Sequence, residues 1–304
     1  MTYFGKETSI NIPALLVPEM ALLNRLPKHR RKRFEQALHL MYESFEEHMS
    51  WEQIATHCSI SPYHFHRQFT EFFNETPGQY MNRLRLQIAV NLLMSDTSIN
   101  ITNVAQKCGF SSSQALGKAL KRELGVTAKH IQGMGKNSTP KETTTFLNQL
   151  AHPGRNTSLE QELAQFMTTE LIWYPPRGVK KVWLSNTDWD AIFATYGARS
   201  TRLLGATPID QLENSWSEIH TTIGDWQSDV QEYDFFIPEG LYFCSDVYIT
   251  GDVGYLTALE HLFNLAEKKK LKINAHAFFV EMVRSIELSQ TGGVTFSFQI
   301  PIVS

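Results

Sequence analysis

The sequence predicts two domains of different class: an all-α double helix-turn-helix domain, followed by an α+β domain of antiparallel sheet with helices on one face. Three observations carry this. Between residues 51 and 131 one pattern of small, apolar and polar residues occurs twice. The run from Val294 to Ile302 alternates apolar with polar side chains, as a strand does. The formal charge also changes sign along the chain, from 16 Lys+Arg against 11 Asp+Glu over residues 1–136 to 12 against 20 over residues 137–304.

Composition sets the frame for these elements. A chain of 304 residues with 42% hydrophobic content is long enough for two cores. The basic front half suits a polyanion, and the acidic back half would repel one. No stretch of eighteen apolar residues occurs, and the opening MTYFGKETSINIP lacks the regions of a signal peptide, so a soluble, cytoplasmic protein without a membrane partner is expected. Cys58, Cys108 and Cys244 are too few and too scattered for a disulfide framework or a zinc site. His64 and His66 stand two apart on a helix and point to different faces, so no metal is expected there.

The first copy of the repeat runs through Ile54, Ala55, Cys58, Ser61, Phe65, Arg67, Phe69, Phe73, Asn74 and Thr76. Val104, Ala105 and Cys108 answer it at an offset of fifty. After one inserted residue, Ser112, Leu116, Lys118, Leu120, Leu124, Gly125 and Thr127 answer it at fifty-one. Small and apolar types recur where two short helices must cross closely, and a basic type recurs where the second helix would face outward.

Helix starts are written locally. Ser50 with Gln53 makes a capping box, Ser61 with Pro62 places a cap beside a first-turn proline, and Thr76, Pro77 and Gln79 combine both devices. From Pro62 to Phe73 the stripe of Phe65, Phe69 and Phe72 or Phe73 leaves Tyr63, His66 and Arg67 facing outward. From Pro77 to Ser95, Met81, Leu84, Ile88 and Leu92 mark one long helix of roughly 28 Å, near the ~34 Å of a DNA turn. The cluster Lys28, His29, Arg30, Arg31, Lys32 and Arg33 would oppose the dipole of a helix it opens, which leaves phosphate contact and a solvated face as alternatives.

Residues 32–134 resemble the AraC/XylS-type DNA-binding domain. Arg85-Leu86, Ala89 and Leu92-Leu93 on the long helix carry the likeness, with VAQKCGFSSSQALGKALKRELGVT from Val104 to Thr127. The chain departs from the family's usual Phe at Leu116 and Leu120 and its usual Pro at Ala128, and it places Gly117 inside the second reading helix. The resemblance implies a double-stranded DNA partner, with base contacts at Tyr63, His66 and Arg67 in the first unit and Gln114 and Lys118 in the second. Their chemistry agrees: Arg67 and Lys118 can donate to guanine, Gln114 can pair with adenine, and Tyr63 can lie on a thymine methyl. Arg83, Lys121 and Arg122 are the candidate phosphate contacts inside the domain.

The domains are expected at 32–134 and 168–304, with an N-terminal arm at 1–31 and a polar linker at 135–167. The linker reading rests on GMGKNSTPKETTT and HPGRNTS, with a hinge between. In the second domain, runs near Lys181 to Leu184, Leu241 to Ile249 and Ala277 to Ile286 read as strands. Leu256, Leu259, Phe263 and Ala266 give a helix closing on Lys268 to Lys270, and Leu212, Trp216, Ile219 and Ile223 suggest another.

EGLYF from Glu239, Gly251 before the helix, FFVEMV with Glu281, and the ending TFSFQIPIVS resemble a GyrI-like effector-binding domain. That resemblance implies two strand-helix-strand units flanking a pocket, a buried glutamate at Glu281, and a small cationic or amphipathic effector. Trp183, Tyr196, Trp216, Tyr248 and Phe278 are the aromatic candidates to line it with Glu281, since such rings favour organic cations. A lone carboxylate among apolar neighbours is costly unless paired. The expected whole is a transcription regulator with no cofactor that binds DNA, senses a small molecule and contacts RNA polymerase. The alternatives are a C-terminal domain that docks a protein, and a hydrolase, since some GyrI-like proteins use a glutamate with a tyrosine. GxSxG, HExxH and GxGxxG motifs are all absent, and a non-enzyme is the expectation.

Overall fold

The computed structural model describes residues 12–47, 49–183, 189–227, 232–288 and 292–303. A short strand β1 (Ala14–Leu15) leads into α1 (Pro18–Leu23) and α2 (Lys28–Glu47). The double helix-turn-helix follows as α3 (Trp51–His57), α4 (Pro62–Phe73), α5 (Pro77–Ser95), α6 (Ile101–Lys107), α7 (Ser113–Leu124) and α8 (Ala128–Asn137). Then come α9 (Pro140–Leu147) and α10 (Leu159–Ala164). The C-terminal part is β2 (Glu170–Tyr174), β3 (Arg177–Lys181), α11 (Trp189–Tyr196), β4 (Leu203–Pro208), β5 (Thr222–Asp225), β6 (Phe235–Ile237), β7 (Gly240–Ile249), α12 (Asp252–Lys268), β8 (Phe278–Ile286) and β9 (Val294–Ile302).

The three predicted helix starts are where the caps put them. Ser50 and Gln53 satisfy each other's backbone amides at the head of α3, Ser61 accepts from the His64 amide, and Thr76 with Gln79 closes a second box. Each such cap is worth about 1 kcal/mol. The repeat also fixes two left-handed positions. Ser59 (φ 56°) answers Gly109 (φ 71°), and Asn74 (φ 58°) answers Gly125 (φ 70°). The second unit thus uses glycine where the first forces a side chain into a conformation that glycine adopts freely.

Each unit has its own core. Phe65, Phe69 and Phe73 of α4 pack on Ile54, Ala55 and Cys58, and on Phe34, Ala37 and Met41 of α2. In the second unit Leu116, Leu120 and Leu124 pack on Val104, Ala105 and Cys108. The long helix α5 serves both, but of its predicted stripe only Met81 is fully buried. Tyr80 and Met81 enter the first core, and Leu86, Ala89, Val90 and Leu93 enter the second. Leu84, Ile88 and Leu92 are left partly uncovered, because a helix that packs on two cores must turn a different face to each.

The expected linker differs most from the structure. Residues 135–167 contain the end of α8, all of α9 and α10, and a tight turn at Asn148–Leu150. Phe146, Leu147 and Leu150 belong to the second helix-turn-helix core, together with Val253 and Leu256 of α12. The polar residues that read as linker are in part caps: Thr139 boxes Glu142, and Ser158 boxes Gln161. The N-terminal arm is likewise integrated, since β1 pairs with β7 and Leu22 and Leu23 of α1 lie in the first core.

The sheet runs β1-β7-β9-β8-β4-β5-β3-β6, with β2 also on β7. Every pairing in it is antiparallel except β1 on β7. Helices α11 and α12 pack on one face, as expected, where Phe296, Phe298 and Ile300 of β9 meet Ala258, Leu262 and Ala266 of α12. The strand β9 is buried on both faces, not half-buried. Its Thr295, Ser297 and Gln299 lie under the other side of the sheet, where Val179, Ile237, Tyr242 and Met282 form a second core. The helix expected from Leu212 to Ile223 does not form. Ile209–Gln211 and Trp216–Glu218 are single 3₁₀ turns, and Ile223 is in β5, whose pairing with β4 holds the chain extended. Strand β3 ends at Lys181, and Leu184 lies outside the described residues.

Candidate functional sites

The outward face of α4 carries Tyr63, His66 and Arg67, all exposed, with Tyr63 at 73%. The spacing that buries Phe65 and Phe69 compels this, since the three fall off the apolar stripe. On α7 the exposed Gln114 and Lys118 hold the corresponding face. His66 rests against Trp51 of α3, with ring centroids 5.4 Å apart. A Cβ at Gly117 would have open space around it, so no packing requires glycine there.

Of the phosphate candidates, Lys121 and Arg122 are exposed. Lys121 Nζ donates to the Gly125 carbonyl at 2.6 Å, and Arg122 pairs with Glu123 at 2.6 Å. Arg83 is a correction. Its guanidinium is inside the protein, 2.6 Å from Glu75 Oε1, with Nε 3.2 Å from both carboxylate oxygens and Glu19 at 3.9 Å. It also faces the Tyr80 ring at 5.2 Å. A cation so enclosed has no face left for DNA, because leaving it would strand buried Glu75. His152 Nε2 lies 3.4 Å from the same carboxylate, and burial foremost, with Arg83, holds the imidazole below its ordinary value. Burial pushes neighbouring Glu160 up to about 7. In the basic opening of α2, Arg31 pairs with Glu35 at 2.7 Å, and Lys28, His29, Arg30, Lys32 and Arg33 are exposed.

A cavity of about 800 Å³ lies between the α11/α12 face of the sheet and α5 and α8. Glu281 of β8 stands in its wall, 5% exposed. Tyr255 of α12 donates its hydroxyl to Glu281 Oε1. Burial pushes the Glu281 carboxyl up to about 7, and a hydrogen bond with Trp189 of α11 pulls the other way. The opposite residue on β4 is Gly205, where a Cβ would stand 3.1 Å from Glu281 Oε2. Glycine there leaves the carboxylate its space. The rings of Trp189, Phe193 and Tyr255 surround Phe296 at 5.2, 6.1 and 5.9 Å. Among the described lining residues are four carboxylates, Asp190, Asp252, Glu281 and Glu287, and no Lys, Arg or His.

Of the aromatic candidates, Trp216 lines this cavity with Glu281. The others do not. Trp183 is 86% exposed at the end of β3, and Tyr196 packs against Ile192, Leu203 and Ile223. Phe278 lies against the core on the far face of the sheet, because successive residues of a strand point to opposite sides. Tyr248 lines a neighbouring cavity, where its hydroxyl donates to Glu287 at 3.0 Å. Sequence reasoning missed Trp189, Phe193, Tyr255 and Phe296. The i, i+4 spacing of Trp189 and Phe193 was the available signal.

The cavity is roofed by the helix-turn-helix part. Asn91 of α5 donates to Asp252 at 2.6 Å, and Trp216 donates to Thr143 of α9 at 2.7 Å. Where α5 crosses α8, a Cβ at Gly135 would fall 2.1 Å from the Met94 carbonyl, so glycine permits backbone contact beside the cavity. Among the described residues no helix is long and apolar enough to cross a membrane.

Residues 54–133 match the family model of a helix-turn-helix domain. Over 123 residues the chain is 34% identical to the HTH-type transcriptional regulator ArgR of Pseudomonas aeruginosa, covering 40% of this chain and 37% of that protein. It is 38% identical over 91 residues to the HTH-type transcriptional activator RhaS of Escherichia fergusonii, covering 30% and 32%. A solved AraC-type transcriptional regulator from Chromobacterium violaceum aligns at 26% identity and a TM-score of 0.32, over 36% of this chain and 96% of its own. The chain spans about a third of the length of these curated relatives. Residues 54–133 thus match a helix-turn-helix domain, joined here to a sheet-rich C-terminal region.

Proposed function

We propose that this protein is a transcription regulator that reads a bipartite DNA site with α4 and α7 and senses a small cationic or amphipathic molecule beside Glu281. The observation that carries the DNA half is the paired construction of the two units. Each has its own core, and each turns Tyr63, His66 and Arg67, or Gln114 and Lys118, away from it. Arg67 and Lys118 supply guanine contacts, Gln114 an adenine contact, and Lys121 and Arg122 phosphate contacts. The ligand half is supported by a cavity whose described lining holds four carboxylates, aromatic rings and no cation. Occupancy would bias DNA affinity or a contact with RNA polymerase, because the cavity roof is built from α5, α8 and α9.

Selection of binding sites from random duplex DNA by the full-length protein tests the first half. Two half-sites about one helical turn apart are expected, and salt-sensitive binding without a motif would remove the reading. For the second half, a titration with benzyltrimethylammonium is expected to bind wild type and to weaken at least tenfold in Glu281→Gln.

A second reading draws on one observation. The hydrogen bond from Tyr255 to Glu281 supplies the tyrosine that a glutamate-dependent hydrolase of this resemblance would need. Turnover of activated esters that vanishes in both Tyr255→Phe and Glu281→Gln would favour it.

A further inference from the structure

The Glu281 cavity continues beyond the C-terminal region. A second cavity of about 630 Å³ lies between α2, α5 and the turn from β7 to α12. Asn91, Asp190, Asp252 and Glu287 line both, so the two spaces adjoin at a carboxylate-rich neck. Beyond the neck the second space adds three more carboxylates, Glu19, Glu35 and Glu160. The basic groups of its described lining already stand beside carboxylates: Arg31 lies 2.7 Å from Glu35, Arg83 2.6 Å from Glu75, and His39 3.2 Å from Glu43. Together the described walls carry seven carboxylates against two guanidinium groups and one imidazole. The carboxylates are spread along the walls and not gathered at a point, since among the described residues no group of three His, Cys, Asp or Glu is placed to hold one metal ion.

Negative charge distributed along two joined spaces is costly to shield from water unless positive charge accompanies it along the whole length. A small monocation meets one end only. A chain of ammonium groups separated by short methylene spacers matches such walls, because each ammonium donates charge-assisted hydrogen bonds where it passes a carboxylate. We propose that the two cavities form a single site for a linear polyamine. One terminal ammonium sits at Glu281, an inner one at the neck of Asp190, Asp252 and Glu287, and the other end lies toward Glu19 and Glu160. The placement at Glu281 rests on the reading of that residue given above; the extension through the neck adds to it. Such a ligand touches α2 and α5 as well as the sheet, and so reaches the helix that both DNA-reading units share.

The test compares pentylamine, putrescine, spermidine and spermine on the full-length protein without DNA, at pH 8, above the value of about 7 that both Glu160 and Glu281 hold. Pentylamine and putrescine have the same length and differ by one charge, which separates charge from hydrocarbon. Binding is followed by tryptophan fluorescence, since Trp189 and Trp216 line the first cavity. Affinity is expected to rise about tenfold per added ammonium, the return of one charge-assisted hydrogen bond. Glu160→Gln removes charge from the second cavity alone, so spermine weakens about tenfold while pentylamine binds as in wild type. Glu19→Gln gives the same selective loss and decides the matter should Glu160→Gln not fold. Glu281→Gln weakens every member of the series, and benzyltrimethylammonium with them. Equal wild-type affinity for pentylamine and spermine, or gains that both second-cavity variants leave intact, overturn the joined site; benzyltrimethylammonium binding that Glu281→Gln weakens then leaves the reading of Glu281 standing. Polyamine binding that Glu281→Gln does not weaken overturns the placement of the first ammonium, and no binding by any amine or by benzyltrimethylammonium overturns both.

Discussion

Tyr255 and Glu281 join α12 to the central strand pair of the sheet: the phenol donates to the buried carboxylate, while its ring stands edge-on to Phe298 at 5.3 Å. The same ring packs on the core of the second helix-turn-helix unit as well as on that of the sheet. One side chain therefore touches the cavity's charged group and the packing behind α7.

That carboxyl makes ligand binding and stability run oppositely with pH. Burial holds Glu281 at about 7 in the folded protein, above the ordinary 4.5. Between these values the native state binds more protons than the unfolded chain, so this group's contribution to stability is present at low pH and declines as pH rises through 7. Glu281→Gln is expected to raise the urea midpoint at pH 8 and to flatten its pH dependence; Glu160, also at about 7, leaves a residual slope of the same sign. Benzyltrimethylammonium requires the ionised form, so its affinity should rise with pH below 7 and level off above it. An affinity equal at pH 6 and pH 8 would show that the carboxylate is not the cation's partner.

Arg83→Ala leaves Glu75 and Glu19 without their cation, and the loss expected for breaking a buried pair is about 3–5 kcal/mol. Denaturant melts measure it. The salt slope of DNA affinity should stay at its wild-type value in whatever protein folds, whereas Arg122→Ala should lower it by about one. An unchanged melt with a reduced slope would return Arg83 to the phosphate contacts.

Alanine at Arg67 or Lys118 should cost ~1–3 kcal/mol on the selected site and relax base preference at one position of its own half-site. Quantitative binding to single-base variants of the site separates this from phosphate contact, which would weaken all sequences alike.

The asymmetry between the two units predicts two stabilising substitutions. Ser59→Gly relieves a left-handed backbone at a position the second unit gives to Gly109, worth up to about 1 kcal/mol. Gly117→Ala meets nothing within 4 Å and removes a helix-interior glycine, worth about 0.5–1 kcal/mol. Both should raise the thermal midpoint by a few degrees. A fall in DNA affinity for Gly117→Ala alone would mean that the glycine lets DNA approach α7 closely.

The helix-turn-helix half was legible because its signals are local. Caps at Ser50, Ser61 and Thr76 and the phenylalanine stripe of α4 depend on neighbours a few residues away. Glu281 was singled out through the family resemblance, which implies a buried glutamate there, and it is 5% exposed. Its partner Tyr255 was not, since the two are 26 residues apart and meet only through the packing of α12 on β8. Arg83 misled for a similar reason: a basic residue on a DNA-binding helix looks solvated until Glu75 and Glu19 fold against it. The segment 135–167 misled through composition, because Ser and Thr serve helix caps as readily as linkers, and the apolar run of Phe146, Leu147 and Leu150 is too short to outweigh them.

Strand β1 and helix α9 bear on modularity. The first stitches residues before the DNA-binding half into the C-terminal sheet, and the second supplies Phe146 and Leu147 from beyond that half to its core. The two halves are interleaved along the chain, so neither can be exchanged for a homologue's by a single crossover. Any recombination that preserved both would have to carry three segments together, and heat should melt them as one cooperative unit instead of two.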